Sequence, residues 1–290
     1  MNEQYGEEAG GREFQRVADE LRARMTDGTY PLRGYLPAQR DLAKELGVSR
    51  DTVQRALREL QREGWIESRQ GSGSRVLRTQ RIHSPAVSRL PGRPVTLGPL
   101  IGSAFEEPEV TLDVYTLTSE SLDAHIRLQA ERIQAGQIAP RHIGVRMLLP
   151  ADSVPSPYGR SANGRYDDVL RERVRGVTRR HVESLRSTLR YLRTTELVPS
   201  VDVRIRYAPL TPAFKLYLIN KTEALHGFYE VYERLVDLDD GTETEAVDVV
   251  GLGATLTHHV KSDDAQAQGT VFVETTQKWF DSVWDFLAEE

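Results

Sequence analysis

One stretch, Leu36 to Val76, constrains the fold more than any other part of the chain. In LPAQRDLAKELG, Leu42, Ala43 and Leu46 give a short apolar face, and Gly47 stands where a tight turn needs positive φ. After Val48, Ser49 is placed to cap a second helix. Val53, Ala56, Leu57 and Leu60 form its inner stripe, and Gly64 ends it. WIESRQGSGSRVL then reads as strand, glycine turn, strand: a wing whose Gly71 and Gly73 carry no side chain to hold another backbone away. Upstream, Phe14, Val17, Leu21 and Met25 recur every three or four residues and predict a further helix. It stops at Asp27-Gly28, before an extended connection from Pro31 to Pro37. Two short helices joined through a glycine turn form a helix-turn-helix, whose second helix lies in the major groove of DNA.

Charge agrees with that reading once it is divided along the chain. The net charge is -5, but residues 12–81 hold 15 Lys or Arg against 10 Asp or Glu, and residues 82–290 hold 23 against 30. The basic excess is confined to the segment that would face phosphates. With no cysteine there is no disulfide framework and no thiolate metal site, as in a reducing cytoplasm. The acidic start MNEQYGEEAGG lacks the apolar core of a signal peptide, and no apolar run reaches the roughly 18 residues of a membrane span. A cytoplasmic chain with no membrane partner is expected.

LPAQRDLAKELGVSRDTVQRALRELQREGWIESRQGSGSRV resembles the DNA-binding domain of the GntR family along its whole length. The shared features are the Leu-Pro-x-x-Arg opening, the Gly-Val-Ser-Arg-x-Thr-Val turn and recognition helix, the Glu-Gly-Trp exit and the Gly-x-Gly wing. The resemblance implies that Arg40, Ser49, Arg50 and Thr52 contact phosphates or bases and that Gly71 enters the minor groove at the wing tip. One position departs from the family. Where relatives often carry Arg two residues after Thr52, this chain has Gln54, which can pair with adenine N6 and N7. Arg55, Arg58, Arg69 and Arg75 add to the basic surface of the same small fold, with Arg58 and Arg62 further along the helix, where plain solvation is the other reading.

Residues 1–11 read as a disordered tail, 12–81 as the winged helix-turn-helix and 82–110 as a linker, on the strength of Pro85, Pro91, Pro94, Pro99 and Pro108. Residues 111–290 read as an effector-binding and dimerisation domain. Its expected elements are a strand at 111–117, a helix at 119–136, a strand at 143–150 and a long helix at 166–193. Strands follow at 201–209, 214–220, 225–236 and 246–260, with a last helix at 275–287. The fold class is α+β, a winged helix-turn-helix followed by a mixed α/β sheet domain. That order differs from the all-helical ligand domain of one GntR branch.

PAFKLYLINKTEALHGFYEV (212–231) resembles the signature strand pair of the phospholipase D superfamily, H-x-K-x4-D followed by a turn and a Gly. Lys215, Asn220 and Gly227 take the Lys, Asp and Gly positions, and Ala213 takes the His position. The resemblance implies a phospholipase D-like half without its imidazole nucleophile. It further implies pairing between two subunits and a phosphate pocket at Lys215 and Asn220, helped by Arg204 and Arg206 on the neighbouring strand. Without the resemblance, Lys215 snorkels from a sheet edge and Asn220 starts a turn.

Other residues read more simply. His258, His259, Asp263 and Asp264 are surface rather than a metal site, and Tyr217, Phe228, Tyr229 and Tyr232 are core. The eight arginines of the long helix form a solvated or ion-paired face, with a DNA or nucleotide contact as the second reading. Trp279, Phe280, Val283, Trp284 and Leu287 pack the last helix on the sheet or on a partner subunit. The expected protein is a non-enzymatic regulator without a cofactor. It binds an inverted-repeat operator as a homodimer under the control of a small anionic ligand. A ligand-independent regulator or plasmid or architectural protein is the alternative, and a DNA-tethered phosphodiesterase the distant one.

Overall fold

The computed structural model describes residues 16–18, 20–22, 24–25, 28–31, 33–62, 65–69, 73–77, 82–83, 97–161, 163–238, 242–250 and 255–290. The expected N-terminal tail and Gly71 lie outside them. The chain divides into two compact units, residues 1–80 and 81–290.

In the first unit, helix α1 is described at 16–18, 20–22 and 24–25, followed by α2 (Gln39–Leu46), α3 (Arg50–Arg62) and the strands β1 (Ile66–Arg69) and β2 (Gly73–Val76). The spacing of apolar residues explains the burial. Val17, Leu21 and Met25 of α1, Leu42 of α2, and Val53, Ala56 and Leu60 of α3 are sealed from solvent, and Trp65 and Ile66 close the core. Gly47 ends α2 at φ 66°, the left-handed conformation that a side chain disfavours. Arg24 ties α1 to α2, its guanidinium on Glu20 at 2.6 Å and also on Glu45. β1 and β2 pair antiparallel from Ile66↔Val76 to Arg69↔Gly73. The connection before α2 is more than a spacer. Arg33 N donates to Val76 O and Leu36 N to Ser74 O, each at 2.8 Å, so the chain runs beside β2 in an isolated antiparallel bridge between Tyr35 and Arg75.

The second unit is built on a seven-stranded sheet in the order β3-β12-β9-β8-β4-β5-β7. The strands are β3 (Ile82–His83), β4 (Glu109–Tyr115), β5 (His142–Pro150), β7 (Ser200–Ala208), β8 (Phe214–Ile219), β9 (Glu223–Phe228) and β12 (Leu256–Val260). β4, β5 and β7 are neighbouring and parallel, β8 runs antiparallel beside β4, and β9 antiparallel beside β8. Strand alternation sorts the two faces. Val110, Leu112 and Val114 of β4 and Ile143, Val145 and Met147 of β5 meet α4 (Leu97–Ala104), α5 (Glu120–Gln134) and α6 (Asp167–Thr194). Val201, Val203 and Tyr207 of β7 pack against the same core. Tyr115, Leu148, Leu216 and Leu218 face the other way, onto Val273, Phe280, Val283 and Trp284 of α7 (Gln268–Phe286). The aromatic stripe of the last helix therefore covers its own sheet.

Two contacts pin the helices. Arg146 of β5 meets both oxygens of Asp113 on β4, at 2.7 and 2.6 Å, and Asp281 of α7 at 2.7 Å. Burial opposes its charge, but these hydrogen bonds and carboxylates outweigh burial and raise its pKa. On the opposite face, His181 of α6 bonds Asp123 of α5 at 2.8 Å, both sealed from solvent.

Several expected boundaries are corrected. The segment expected as linker is folded at 97–110: α4 places Leu97, Ile101 and the following Phe105 at 0% exposure in the main core. Pro99 sits in the first turn of α4, where the missing N–H costs no helical hydrogen bond. The single strand expected at 225–236 is two. β9 ends at Phe228, Tyr229 N turns to Ala213 O at 3.0 Å, and β10 (Glu230–Asp237) enters a separate three-stranded sheet. That sheet has the order β10-β11-β6, with β11 (Glu243–Val250) and β6 (Arg160–Ser161). The strand expected at 246–260 likewise divides into β11 and β12. Phe228, expected in the core, is exposed, whereas Tyr217 and Tyr229 are buried.

Candidate nucleic-acid interface

Burying Val53, Ala56, Leu57 and Leu60 dictates what α3 shows to solvent. Arg50, Gln54 and Arg58 follow one another at four-residue spacing and are all exposed, a single outward row one turn apart. Its first two members are expected contacts. A guanidinium and a carboxamide in line on one helix face can donate to phosphate oxygens and to acceptors on base edges. Arg58 extends the row one turn beyond them.

Ser49 and Thr52 form the cap of this helix. Thr52 N donates to Ser49 Oγ at 3.1 Å, and the two hydroxyls lie 2.9 Å apart. Ser49 is exposed beside Arg50, but Thr52 keeps only 8% of its surface. Thr52, expected as a direct contact, has its hydroxyl at the capping Ser49 side chain, where the third residue of a helix meets its cap. Arg40 on α2 is exposed over 75% of its side chain, with Asp41 at 3.5 Å, too long for a firm hydrogen bond. Arg75 is already engaged: its Nε donates to Arg33 O at 3.2 Å and ties the connection before α2 to the wing. Local spacing carries no signal for that long-range bond.

The expected pocket at Lys215, Asn220, Arg204 and Arg206 is not assembled. Lys215 lies on β8 and Asn220 in the turn beyond its end, while Arg204 and Arg206 lie on β7, which β4 and β5 separate from β8. Lys215 is 3% exposed with its Nζ 5.4 Å from the centre of the Tyr229 ring. Asn220 has φ 50° and exchanges two hydrogen bonds with Thr111, each 2.8 Å, which fixes the turn after β8 against β4. Arg204 pairs with Asp202 at 3.0 Å, and Arg206 donates to Trp284 O at 2.7 Å with its guanidinium over that indole. Gly227 has a packing reason of its own, since a Cβ there would meet Thr255 O at 2.5 Å. Among the described residues no three His, Asp or Glu side chains are placed to hold a metal ion. His258 bonds Glu223 at 2.6 Å and His259 stacks on Phe272.

Comparison with known proteins reaches the first unit. The model for bacterial regulatory proteins of the gntR family matches residues 14–76. An uncharacterized HTH-type transcriptional regulator of Mycobacterium tuberculosis is 41% identical over 73 residues, 25% of this chain and 30% of that protein. The Exu regulon transcriptional regulator of Escherichia coli is 40% identical over 75 residues, 26% of this chain and 29% of its own length. The Glc operon transcriptional activator of Escherichia coli is 34% identical over 87 residues, 29% and 34% of the two chains. The chain thus spans about a third or less of the length of these relatives. A solved structure of TrmBL2, an archaeal chromatin protein, aligns over 87% of this chain and 88% of its own. At a TM-score of 0.26 and 12% identity that likeness carries no argument. Sequence motif, capped recognition helix, wing and family match agree that residues 14–76 are a GntR-family helix-turn-helix domain.

Proposed function

We propose that the protein is a sequence-specific DNA-binding transcription regulator of the GntR type. It binds an inverted-repeat operator as a homodimer, and a small anionic ligand held by the second unit controls it. The observation that carries this reading is the outward row of Arg50, Gln54 and Arg58 on a helix whose opposite face is sealed into a core. One winged helix touches one half-site, and useful specificity needs two. No described helix is long and apolar enough to cross a membrane, and a cytoplasmic location belongs to the same proposal.

The test selects an operator from a random-sequence library and measures binding by fluorescence anisotropy across a salt series. Arg50→Ala is expected to weaken operator binding by about 1–3 kcal/mol if Arg50 reads a base. Arg40→Ala is expected to weaken all sequences alike and to lower the salt slope by about one. Unchanged affinity in both variants removes the placement of the recognition helix. Sedimentation showing a monomer both free and on operator DNA removes the dimer.

A further inference from the structure

A cavity of about 250 Å³ opens where the parallel strands β4, β5 and β7 end, lined by Leu117, Pro150 and Tyr207 from those strand ends. The carboxyl ends of parallel strands are where open α/β sheets take their ligands, because the loops there are free to diverge around a crevice. The fourth wall is α6, and the helix changes character to make it. Its later turns bury Leu185, Leu189 and Leu192 on the sheet, while Leu170 at its start packs with Val236 and Ala246 of the smaller sheet. Between these two anchors the face turned to the cavity is Arg171, Val174, Arg175, Thr178 and Arg179, spaced i, i+3, i+4, i+7, i+8. A helix that needed only to pack would carry leucine there.

We infer that this cavity binds a small organic anion, a carboxylate or phosphate on a ring-sized apolar body. Three guanidinium groups stand one turn apart along the wall, against the carboxylates of Asp152 and Asp248 in the lining. Each arginine is held by a carboxylate that a ligand can replace: Arg175 by Asp152 at 3.1 Å, Arg171 by Asp168 at 2.6 Å, and Arg179 by Glu172. All three carboxylates are exposed, Asp168 over 95% of its side chain, so water already competes for them and little is lost in the exchange. Planar guanidinium groups match carboxylate and phosphate oxygens two at a time. The body of the ligand fits between Val154, Val174 and the rings of Tyr158 and Tyr207, and Tyr158 is fixed by its hydroxyl on Pro212 O at 3.1 Å. The volume lies just below the usual range of about 300–1,000 Å³ for drug-sized ligands, which suits a small metabolite.

Binding at this site is independent of DNA, and only its role as the control point rests on the regulator reading above. The test titrates the full-length chain by calorimetry with benzoate and phenyl phosphate, beside benzyl alcohol and inorganic phosphate. Both organic anions are expected to bind saturably. The neutral alcohol should bind about tenfold or more weakly, as loss of charge-assisted hydrogen bonds implies, and inorganic phosphate more weakly for want of a body. Arg175→Gln with Arg179→Gln should lose binding of both organic anions. Val174→Trp should lose it by filling the cavity with every charge in place, circular dichroism confirming that both variants stay folded. No binding of either organic anion, or undiminished binding in either variant, overturns the site. Operator anisotropy with and without benzoate then separates the two readings. Benzoate that binds the protein and leaves operator affinity unchanged overturns the cavity as control point while the site stands.

Discussion

Two helices of this protein are crowded with arginine, and the density of charge alone does not tell them apart. α3 carries Arg50, Arg55, Arg58 and Arg62 in 13 residues, and α6 carries eight arginines in 28. In α3 the apolar stripe runs the whole length of the helix, so one face is closed and charge is left only outside. In α6 the stripe is interrupted from Arg171 to Arg179, and the arginines there face a cavity inside the unit, each answered by an acidic side chain. Density of positive charge therefore says little about function. What decides is which element the charged face is turned toward and whether that face already has partners.

If the two regions are independent, damage to one should leave the other intact. The largest expected effect is Trp65→Ala in the first unit. Its side chain is 1% exposed and closes the core behind α3, so truncation is expected to cost about 3–5 kcal/mol. The indole Nε1 has no hydrogen-bond partner among the described residues, so Trp65→Phe should cost much less. Calorimetry should show the first unit melting early and the second unmoved. A loss shared by both transitions would break the division.

The counterpart in the second unit is Arg146→Ala. It leaves the Asp113 carboxylate buried without its cation, with the neutral Gln277 amide at 2.8 Å still donating to it, and removing one partner of such a pair costs about 3 kcal/mol or more. The guanidinium also stacks 5.1 Å from Phe280 and 5.5 Å from Trp284, so α7 should loosen from the sheet. Amide exchange in α7 should accelerate, while exchange in α3 and operator binding by the first unit stay as they were.

The same contrast shows why one unit was legible and the other only in outline. Gly47, Ser49 and the stripe through Leu60 are local signals: each states its own backbone conformation or burial through its neighbours in sequence. Single strands of the second unit such as β7 were legible for the same reason, from the alternation of Val201, Val203, Ile205 and Tyr207. Its failures are all non-local. Pro99 looked like linker because nothing near it shows that Leu97 and Ile101 lie over a sheet built from later residues. The break at Tyr229 depends on a hydrogen bond to Ala213, and the pocket at Lys215 and Asn220 fails because β4 and β5 come between β8 and the β7 arginines, an order no local signal carries. The cavity beside α6 left one trace, the helical face that changes from arginine and threonine to leucine near its middle.

A smaller effect is confined to the second unit and to acid pH. His125 on α5 is fully buried, neither ring nitrogen has a partner among the described residues, and burial lowers its pKa from 6.5 to about 4. Above pH 6.5 the imidazole is neutral folded and unfolded and contributes nothing pH-dependent. As pH falls from 6.5 toward 4 the unfolded chain takes up a proton that the folded one refuses, so stability is lost across that window, by up to about 3 kcal/mol. His226 and His259, also lowered by burial, act in the same direction. Urea melts at pH 7.5 and 4.5 should show the second unit weakened at the lower pH, and His125→Leu should remove much of the difference. An equal pH response in His125→Leu would assign it elsewhere.

The smallest effect tests the end of α3 itself. Ser49 Oγ accepts from Thr52 N, and losing that cap in Ser49→Ala should cost about 1 kcal/mol in the first unit. α6 has no such dependence, since its cap position, Tyr166, makes no side-chain capping bond. Stability alone does not separate a cap from a DNA contact, because both are lost together in alanine. Ser49→Asp does separate them. A carboxylate still accepts from Thr52 N, and it meets the positive end of the helix dipole, so stability should recover to the parent level or slightly above. The same negative charge lies beside Arg50 at the end expected to face phosphates, so operator affinity should fall below that of Ser49→Ala, and the gap between the two variants should widen as salt is lowered. Equal operator affinity in Ser49→Asp and the parent would mean that this end of α3 points away from the DNA, and the outward row from Arg50 to Arg58 would then need another partner.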